Sequence, residues 1–349
     1  MSSAAWPTCV RCKELPHDGP NALGCGADVN EIELLTVGRV SVDLYAEQLN
    51  VAVDQVQTFR KSIGGTATNV AVAAARLGRR SAVFTRVGDD PMGGYVRSAL
   101  EHTFGVDTRF VRVDQQYRTP LAFAVMEDPA EPSIDFYRAP QAPDMMIRPD
   151  DVDRTVVEEV PIFWFPTSRL SAEPSRSTIH ELLSWRARRS HTVLDLDWRP
   201  AFWPDAATAT RELDQVLDHV TMAIGNRTEC EVAVGESDPD RAADALLDRG
   251  LSAAVVKLGG DGVLVATADG VRERIPPYPV DVVCGLGAGD AFGGAFCHGL
   301  LEGWDLPTCA RAGNAAGAIV AARLMCADDM PYLSDIELVL ERGSVPAGI

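Results

Sequence analysis

From Glu31 onward the chain alternates short apolar runs with longer stretches of helical periodicity, and few folds accommodate that rhythm along most of a chain. The runs at Glu33–Val37, Ser81–Val87, Thr192–Leu196, Met222–Ile224 and Ser252–Lys257 have the length and composition of strands. Between them, Thr66–Leu77, Pro91–Thr103, Glu173–Arg188 and Asp240–Asp248 carry helical patterns, and Gly78 stands where the first of these needs a left-handed cap. Repeated strand–helix–strand units predict a mostly parallel sheet with helices on both faces, a three-layer α/β/α sandwich. With 349 residues, 46% of them hydrophobic, the chain can bury one large core. Two stretches, 44–63 and 119–137, break the rhythm with strands and turns and no helix between them. In the second, Leu121, Phe123 and Val125 alternate with smaller residues as a half-exposed strand does. Both are read as a small β lid on one domain spanning 31–349.

Charge narrows the partners. Fifty acidic residues against 32 basic ones give a net charge of -18, a field that repels nucleic acid and anionic membrane alike. A local cluster of amides and arginines can still hold an anion against that field. No apolar run approaches membrane length and the N-terminus lacks a signal-peptide pattern, so the expectation is a cytoplasmic protein. Cys230, Cys284, Cys297, Cys309 and Cys326 are scattered singly in apolar surroundings, the usage of small buried hydrophobes. Cys9, Cys12 and Cys25 with His17 offer zinc-ligand types at incomplete spacing. Residues 1–30 otherwise read as a disordered extension without a role in activity.

The strongest local signal is Cys284-Gly285-Leu286-Gly287-Ala288-Gly289-Asp290-Ala291-Phe292. It follows the apolar run Val280–Val283, read as a strand, and opens a helical pattern over Ala291–Leu301. Gly287, Ala288 and Gly289 therefore place free amides at a helix N-terminus, a ready site for an anion. Asp290 would repel that anion unless its task is different. As a base it can take the proton of a hydroxyl attacking a γ-phosphorus; as a bland alternative it caps the helix.

Companion segments shift the balance toward chemistry. Gly64-Gly65-Thr66-Ala67-Thr68-Asn69 opens another helix, with glycines that let backbone approach a polyol and an amide able to donate and accept. Asp43, after the first strand, can accept from substrate hydroxyls. Asn226-Arg227-Thr228-Glu229 puts an amide and a carboxylate after a strand, where Glu229 could reach magnesium through water. Lys257-Leu258-Gly259-Gly260-Asp261-Gly262 is a glycine-rich turn able to pass close to a nucleotide, and as a plain hairpin turn it would look the same.

In this order, from about Glu31 to Leu340, these pieces resemble the ribokinase-like (PfkB) carbohydrate kinase family. The resemblance implies a ribokinase-like fold with ATP and Mg2+, and a monovalent cation is a further expectation. It implies sugar binding by Asp43, Gly64, Gly65 and Asn69, and catalysis by Asp290 beside an anion hole at Gly287, Ala288 and Gly289. Asn226, Glu229, Lys257, Gly259, Gly262 and Asn314 fall to the nucleotide side.

A second group of strings is similar to the branch that phosphorylates the terminal hydroxyl of 5-dehydro-2-deoxygluconate in inositol catabolism. These are Gly38-Arg39-Val40-Ser41-Val42-Asp43-Leu44-Tyr45, Phe136-Tyr137-Arg138, Ala142-Pro143-Asp144, Val193-Leu194-Asp195-Leu196-Asp197-Trp198-Arg199-Pro200 with Trp203, and Asn314-Ala315-Ala316-Gly317-Ala318. Such a substrate is an anion, so an arginine should meet its carboxylate. Arg138 in the lid is the first expectation and Arg199 the second, unless Arg199 pairs with Asp195 or Asp197. Two positions depart from the family pattern: Cys284 stands where relatives carry Asp or Asn, and Pro166-Thr167-Ser168-Arg169 where they carry Gly-Thr-Gly. Two other readings stay open. One is a kinase of 2-dehydro-3-deoxygluconate, fructose or a nucleoside; the other is a silent sugar- or nucleotide-binding regulator. A homodimer through the lid is the expected assembly.

Overall fold

The computed structural model describes residues 32–127 and 132–346. The N-terminal extension and the candidate zinc ligands Cys9, Cys12, His17 and Cys25 lie outside them. Among the described residues, thirteen strands and ten α-helices follow one another. The strands are β1 (Leu34–Val37), β2 (Ser41–Ala46), β3 (Phe59–Gly64), β4 (Ser81–Gly88), β5 (Val111–Asp114), β6 (Leu121–Val125) and β7 (Ser133–Tyr137), then β8 (Ile162–Pro166), β9 (Thr192–Asp195), β10 (Met222–Asn226), β11 (Ala253–Lys257), β12 (Val263–Thr267) and β13 (Arg272–Ile275). The helices are α1 (Thr66–Arg76), α2 (Pro91–Ser98), α3 (Arg154–Glu159), α4 (Ser175–Arg186), α5 (Ala206–Leu217), α6 (Arg227–Val234), α7 (Pro239–Asp248), α8 (Ala288–Glu302), α9 (Leu306–Ala321) and α10 (Leu333–Arg342).

Nine strands form one sheet in the order β13-β12-β11-β10-β9-β8-β1-β4-β5, parallel except for the β11–β12–β13 meander at one edge. Buried on both faces, its central strands send alternate side chains to opposite cores. Phe163 and Phe165 of β8 pack with Ile179, Leu182 and Leu213 on the side of α4 and α5. Ile162 and Trp164 of the same strand pack with Val70, Phe292 and Phe296 on the side of α1 and α8. The helices thus flank the sheet on both faces, giving the three-layer arrangement of a ribokinase-like fold. A second sheet, β3-β2-β6-β7, stands apart from the first and is made of the two helix-free stretches.

Strand order reverses at β1, which has β8 on one side and β4 on the other. In an open parallel sheet the crevice beyond the carboxyl ends at such a point is where ligands bind. The chain turns there out of β1 into Gly38–Asp43, and the small sheet departs from the same place. One expected strand is absent: Val280–Val283 is not in the sheet, and the amides of Val283 and Cys284 instead bond to the Ala321 carbonyl at the end of α9. Within the run only the Val283 amide is held by that helix terminus and Val282 stands exposed, so apolar composition alone misread the segment.

Candidate active site

Helix α8 begins with a residue that no side chain caps. Gly287 is its N-cap at φ 78°, a left-handed conformation suited to glycine, and a Cβ there would stand 2.5 Å from Cys326 Sγ. Ala288, Gly289 and Asp290 form the first turn, whose amides have no partner within the helix. The helix dipole adds to the attraction those amides exert on an anion. Asp290 does not cap the helix; its carboxylate Oδ2 accepts a 2.7 Å bond from Asn69 Nδ2 across 221 residues of sequence. Burial pushes Asp290 up to about 6, against the opposing Asn69 bond; the neighbouring Asp197 raises it further, while Arg199 and Arg39 pull it down. That value suits a carboxylate that must be ionised near neutrality yet can hold a proton.

Asp290 and Gly287 line a cavity shared with Asp43, Asn69, Arg39 and Arg199. Its floor requires glycine. A Cβ on Gly64 would lie 1.8 Å from Asp43 Oδ2, and one on Gly65, at φ 105°, would lie 2.3 Å from the Arg39 carbonyl. Asp43 accepts from Ser41 Oγ at 2.6 Å and from the Tyr45 hydroxyl at 3.3 Å, and burial raises its pKa. Asn69 spends its amide on Asp290 but leaves Oδ1 buried without a partner, an acceptor open to a ligand hydroxyl. Six residues selected from sequence (Asp43, Gly65, Asn69, Arg199, Gly287 and Asp290), drawn from four distant segments, thus meet around one cavity, with Gly64 directly behind Asp43.

The nucleotide-side candidates divide. Lys257, at the end of β11, reaches toward α8: a Cβ on Gly289 would lie 3.3 Å from its Nζ. Burial alone would lower its pKa, but Glu229, Asp195 and Asp290 outweigh that and hold the ammonium charged. Asn226 and Glu229 form a complete capping box on α6, the Asn226 side chain accepting from Glu229 N at 2.9 Å and Glu229 Oε2 accepting from Asn226 N at 2.6 Å. Glu229 Oε2 also stands 3.9 Å from Lys257 Nζ, so it is buried and oriented instead of solvated. Gly259 and Gly262 lie in the β11–β12 hairpin turn, with φ of 61° and 90°. Asn314 on α9 donates to the carbonyls of Ile275 and Pro276 after β13, tying down the backbone there.

The arginines fall out differently from expectation. Arg138 is engaged with the fully buried Asp144, Nη1 to Oδ2 at 3.1 Å and Nη2 to Oδ1 at 2.7 Å, and it borders a neighbouring cavity with Arg169 and Phe202. It does not line the cavity that holds Asp290. Arg199 does line it, and its Nε donates to Asp197 Oδ1 at 2.9 Å, the pairing foreseen as its alternative. Sequence reasoning missed Arg39, which borders the same cavity from the β1–β2 junction; the only signal was its place in the Gly38–Tyr45 string.

Residues 31–332 match the family described as pfkB family carbohydrate kinase. This chain belongs to that family. A 5-dehydro-2-deoxygluconokinase from Geobacillus thermodenitrificans is 30% identical over 316 residues, covering 89% of this chain and 93% of the relative. Among solved structures, a candidate ribokinase II from Escherichia coli in complex with ATP and Mg2+ superposes with a TM-score of 0.80, at 23% identity over 89% of this chain and 99% of that one. A fructokinase double mutant from Vibrio cholerae bound to fructose, ADP and a potassium ion gives 0.78, at 23% identity over 88% and 98%.

As a carbohydrate kinase the chain carries both departures in buried positions. Cys284 packs in the core with Ala291, Ala295 and Cys326, its thiol pushed by burial up to about 11. Thr167, Ser168 and Arg169 are all buried; Thr167 Oγ1 donates to the Asp195 carbonyl at 3.2 Å, and Arg169 Nη1 donates to Asp144. Among the described residues no helix is long and apolar enough to cross a membrane, and no cluster of three His, Cys, Asp or Glu side chains could hold a metal. A kinase of this composition fits Mg2+ that arrives on a nucleotide, which needs only one or two carboxylates reached directly or through water.

Proposed function

We propose that this kinase transfers the γ-phosphoryl group of ATP to the terminal hydroxyl of 5-dehydro-2-deoxygluconate. The observation that carries the reading is the pairing of an elevated carboxylate, Asp290, with two guanidinium side chains, Arg39 and Arg199, on one cavity. The curated relative of that name, alike over nine-tenths of both chains, supports the same substrate. Asp290 accepts the proton of the attacking hydroxyl, and Asn69 and Asp43 orient the sugar through hydroxyl hydrogen bonds. The amides opening α8 and the Lys257 ammonium face the phosphoryl oxygens and stabilise the charge that spreads over them. Glu229 and Asn226 are the side chains that would meet Mg2+ through water, and the metal would supply screening of the nucleotide phosphates. The potassium ion of the fructokinase makes a monovalent-cation requirement the companion expectation. The small sheet excludes water over the sugar.

The test is a coupled assay of ADP release on purified protein with a panel: 5-dehydro-2-deoxygluconate, 2-dehydro-3-deoxygluconate, fructose and a nucleoside. Preference for the first, with a phosphorylated product by mass spectrometry, supports the reading. Equal or better turnover of a neutral sugar removes it, and ADP release with none of them leaves a silent binder.

A further inference from the structure

Arg39 is a buried cation with two donor nitrogens left unpartnered. It is 6% exposed, and its Nε and Nη1 find no acceptor. Leaving donors of a charged group unpaired inside a protein costs more than a neutral orphan does, so a partner is expected from elsewhere. The side chain is not loose. Its carbonyl accepts from Thr68 Oγ1 at 3.0 Å and abuts Gly65, while its guanidinium lies over the rings of Phe136 and Phe202, at 4.9 and 5.3 Å from their centroids.

The neighbouring charges do not fill the gap. Asp144, the carboxylate behind it, is already shared by Arg138 and Arg169, and its Oδ2 also takes the Val40 amide at 3.3 Å. Asp197 is bonded to Arg199 and to Thr66 Oγ1, and Asp43 to Ser41 and Tyr45. Three guanidiniums thus crowd one buried carboxylate, in a protein whose net charge is -18. The phosphoryl end of the cavity is marked by Gly287 and Asp290, whereas Arg39 contacts Phe136 of β7, on the small sheet over the sugar.

We propose that Arg39 sets substrate specificity by receiving the carboxylate of a sugar acid on its unpaired Nε and Nη1, over Phe136 and Phe202. The assignment deepens the sugar-acid reading above and rests on it. The aromatic rings hold the guanidinium in place before the ligand arrives, so little ordering remains at binding.

The experiment compares wild type, Arg39→Met and Arg39→Lys on 5-dehydro-2-deoxygluconate and on fructose, with KM for ATP measured alongside. Arg39→Met keeps the stem and removes the charge. The ratio of kcat/KM for the acid over that for the neutral sugar is expected to fall roughly ten- to hundredfold, mainly through KM for the acid. Arg39→Lys restores part of the ratio. An unchanged ratio, or a loss carried by KM for ATP, overturns the assignment. Should Arg39→Met fail to fold, Arg39→Lys decides: it keeps the charge but loses the planar donors, and a ratio equal to wild type overturns the proposal. Wild-type protein that turns over fructose as well as the acid refutes the substrate reading itself. A wild-type acid preference that survives both substitutions refutes only Arg39.

Discussion

Asn69 should set the pH at which this kinase loses activity. As the proposed base, Asp290 works only when ionised, so catalysis should be present above its pKa of about 6 and be lost as pH falls through it. The Asn69 amide, 2.7 Å from Oδ2, stabilises the charged form and so lowers that pKa. A hydrogen bond to a charged group contributes about 1.5–3 kcal/mol. At 1.36 kcal/mol per unit, Asn69→Leu should move the acidic limb up by about one to two units, to between roughly 7 and 8. Near neutral pH the wild-type base is mostly ionised, while the variant's is half protonated or more. The assay is log kcat/KM against pH by coupled ADP release, which reports the free enzyme. Asn69 is also a proposed sugar ligand, so the position of the limb is the readout, not its height. An ionisation of the nucleotide would give both proteins the same limb. A variant limb that stays near 6 or moves down therefore refutes Asp290 as the titrating base.

Asp290→Asn removes the base while keeping its shape; kcat should drop about two to four orders of magnitude, and retention of more than about a tenth of wild-type turnover would make Asp290 a structural residue. Arg138→Met should act on stability more than on substrate choice, because it takes one of two guanidiniums from the fully buried Asp144. Its cost of about 3 kcal/mol should show as a lower midpoint of chemical unfolding, with the acid-to-neutral ratio of kcat/KM preserved. Cys284→Asn buries an amide among Ala291, Ala295 and Cys326, and should lose about 1–3 kcal/mol without gaining activity. A more active and equally stable variant would show that the thiol sits in the site and not in the core.

The fold was legible wherever the backbone announces its own ends. The helix read as Thr66–Leu77 is Thr66–Arg76, because Gly78 at φ 81° stops it. Pro91 and Pro239 mark the first residues of α2 and α7, where a missing amide hydrogen costs nothing. Strand β8 was not marked: Ile162-Phe163-Trp164-Phe165 is apolar at every position, so no alternation distinguishes it from a buried helical turn. Val280–Val283 failed in the opposite direction, a largely apolar run that joins no sheet and whose last amide bonds to the end of α9.

The site was legible for a related reason, and only in part. A glycine that must avoid a clash is recorded in the sequence at the place where it acts, as Gly64, Gly65 and Gly287 are. An arginine's role depends on whether a carboxylate has already claimed it, and that partner is placed by the fold. Arg138 lies six residues from Asp144, which turns the expected substrate ligand into half of a buried ion pair. Asp144 in turn reaches Val40, 104 residues away, and Arg169, 25 residues on, so its donors come from three segments. Once it is saturated, Arg39 is left with two donors facing no protein acceptor. Sequence reasoning put Arg138 first and Arg199 second and passed over Arg39. Competition for Asp144 and Asp197 and the placing of the cavities separate them: Arg138 and Arg199 are bonded to carboxylates, Arg169 keeps two unpartnered donors but borders the neighbouring cavity, and Arg39 brings its two to the cavity of Asp290.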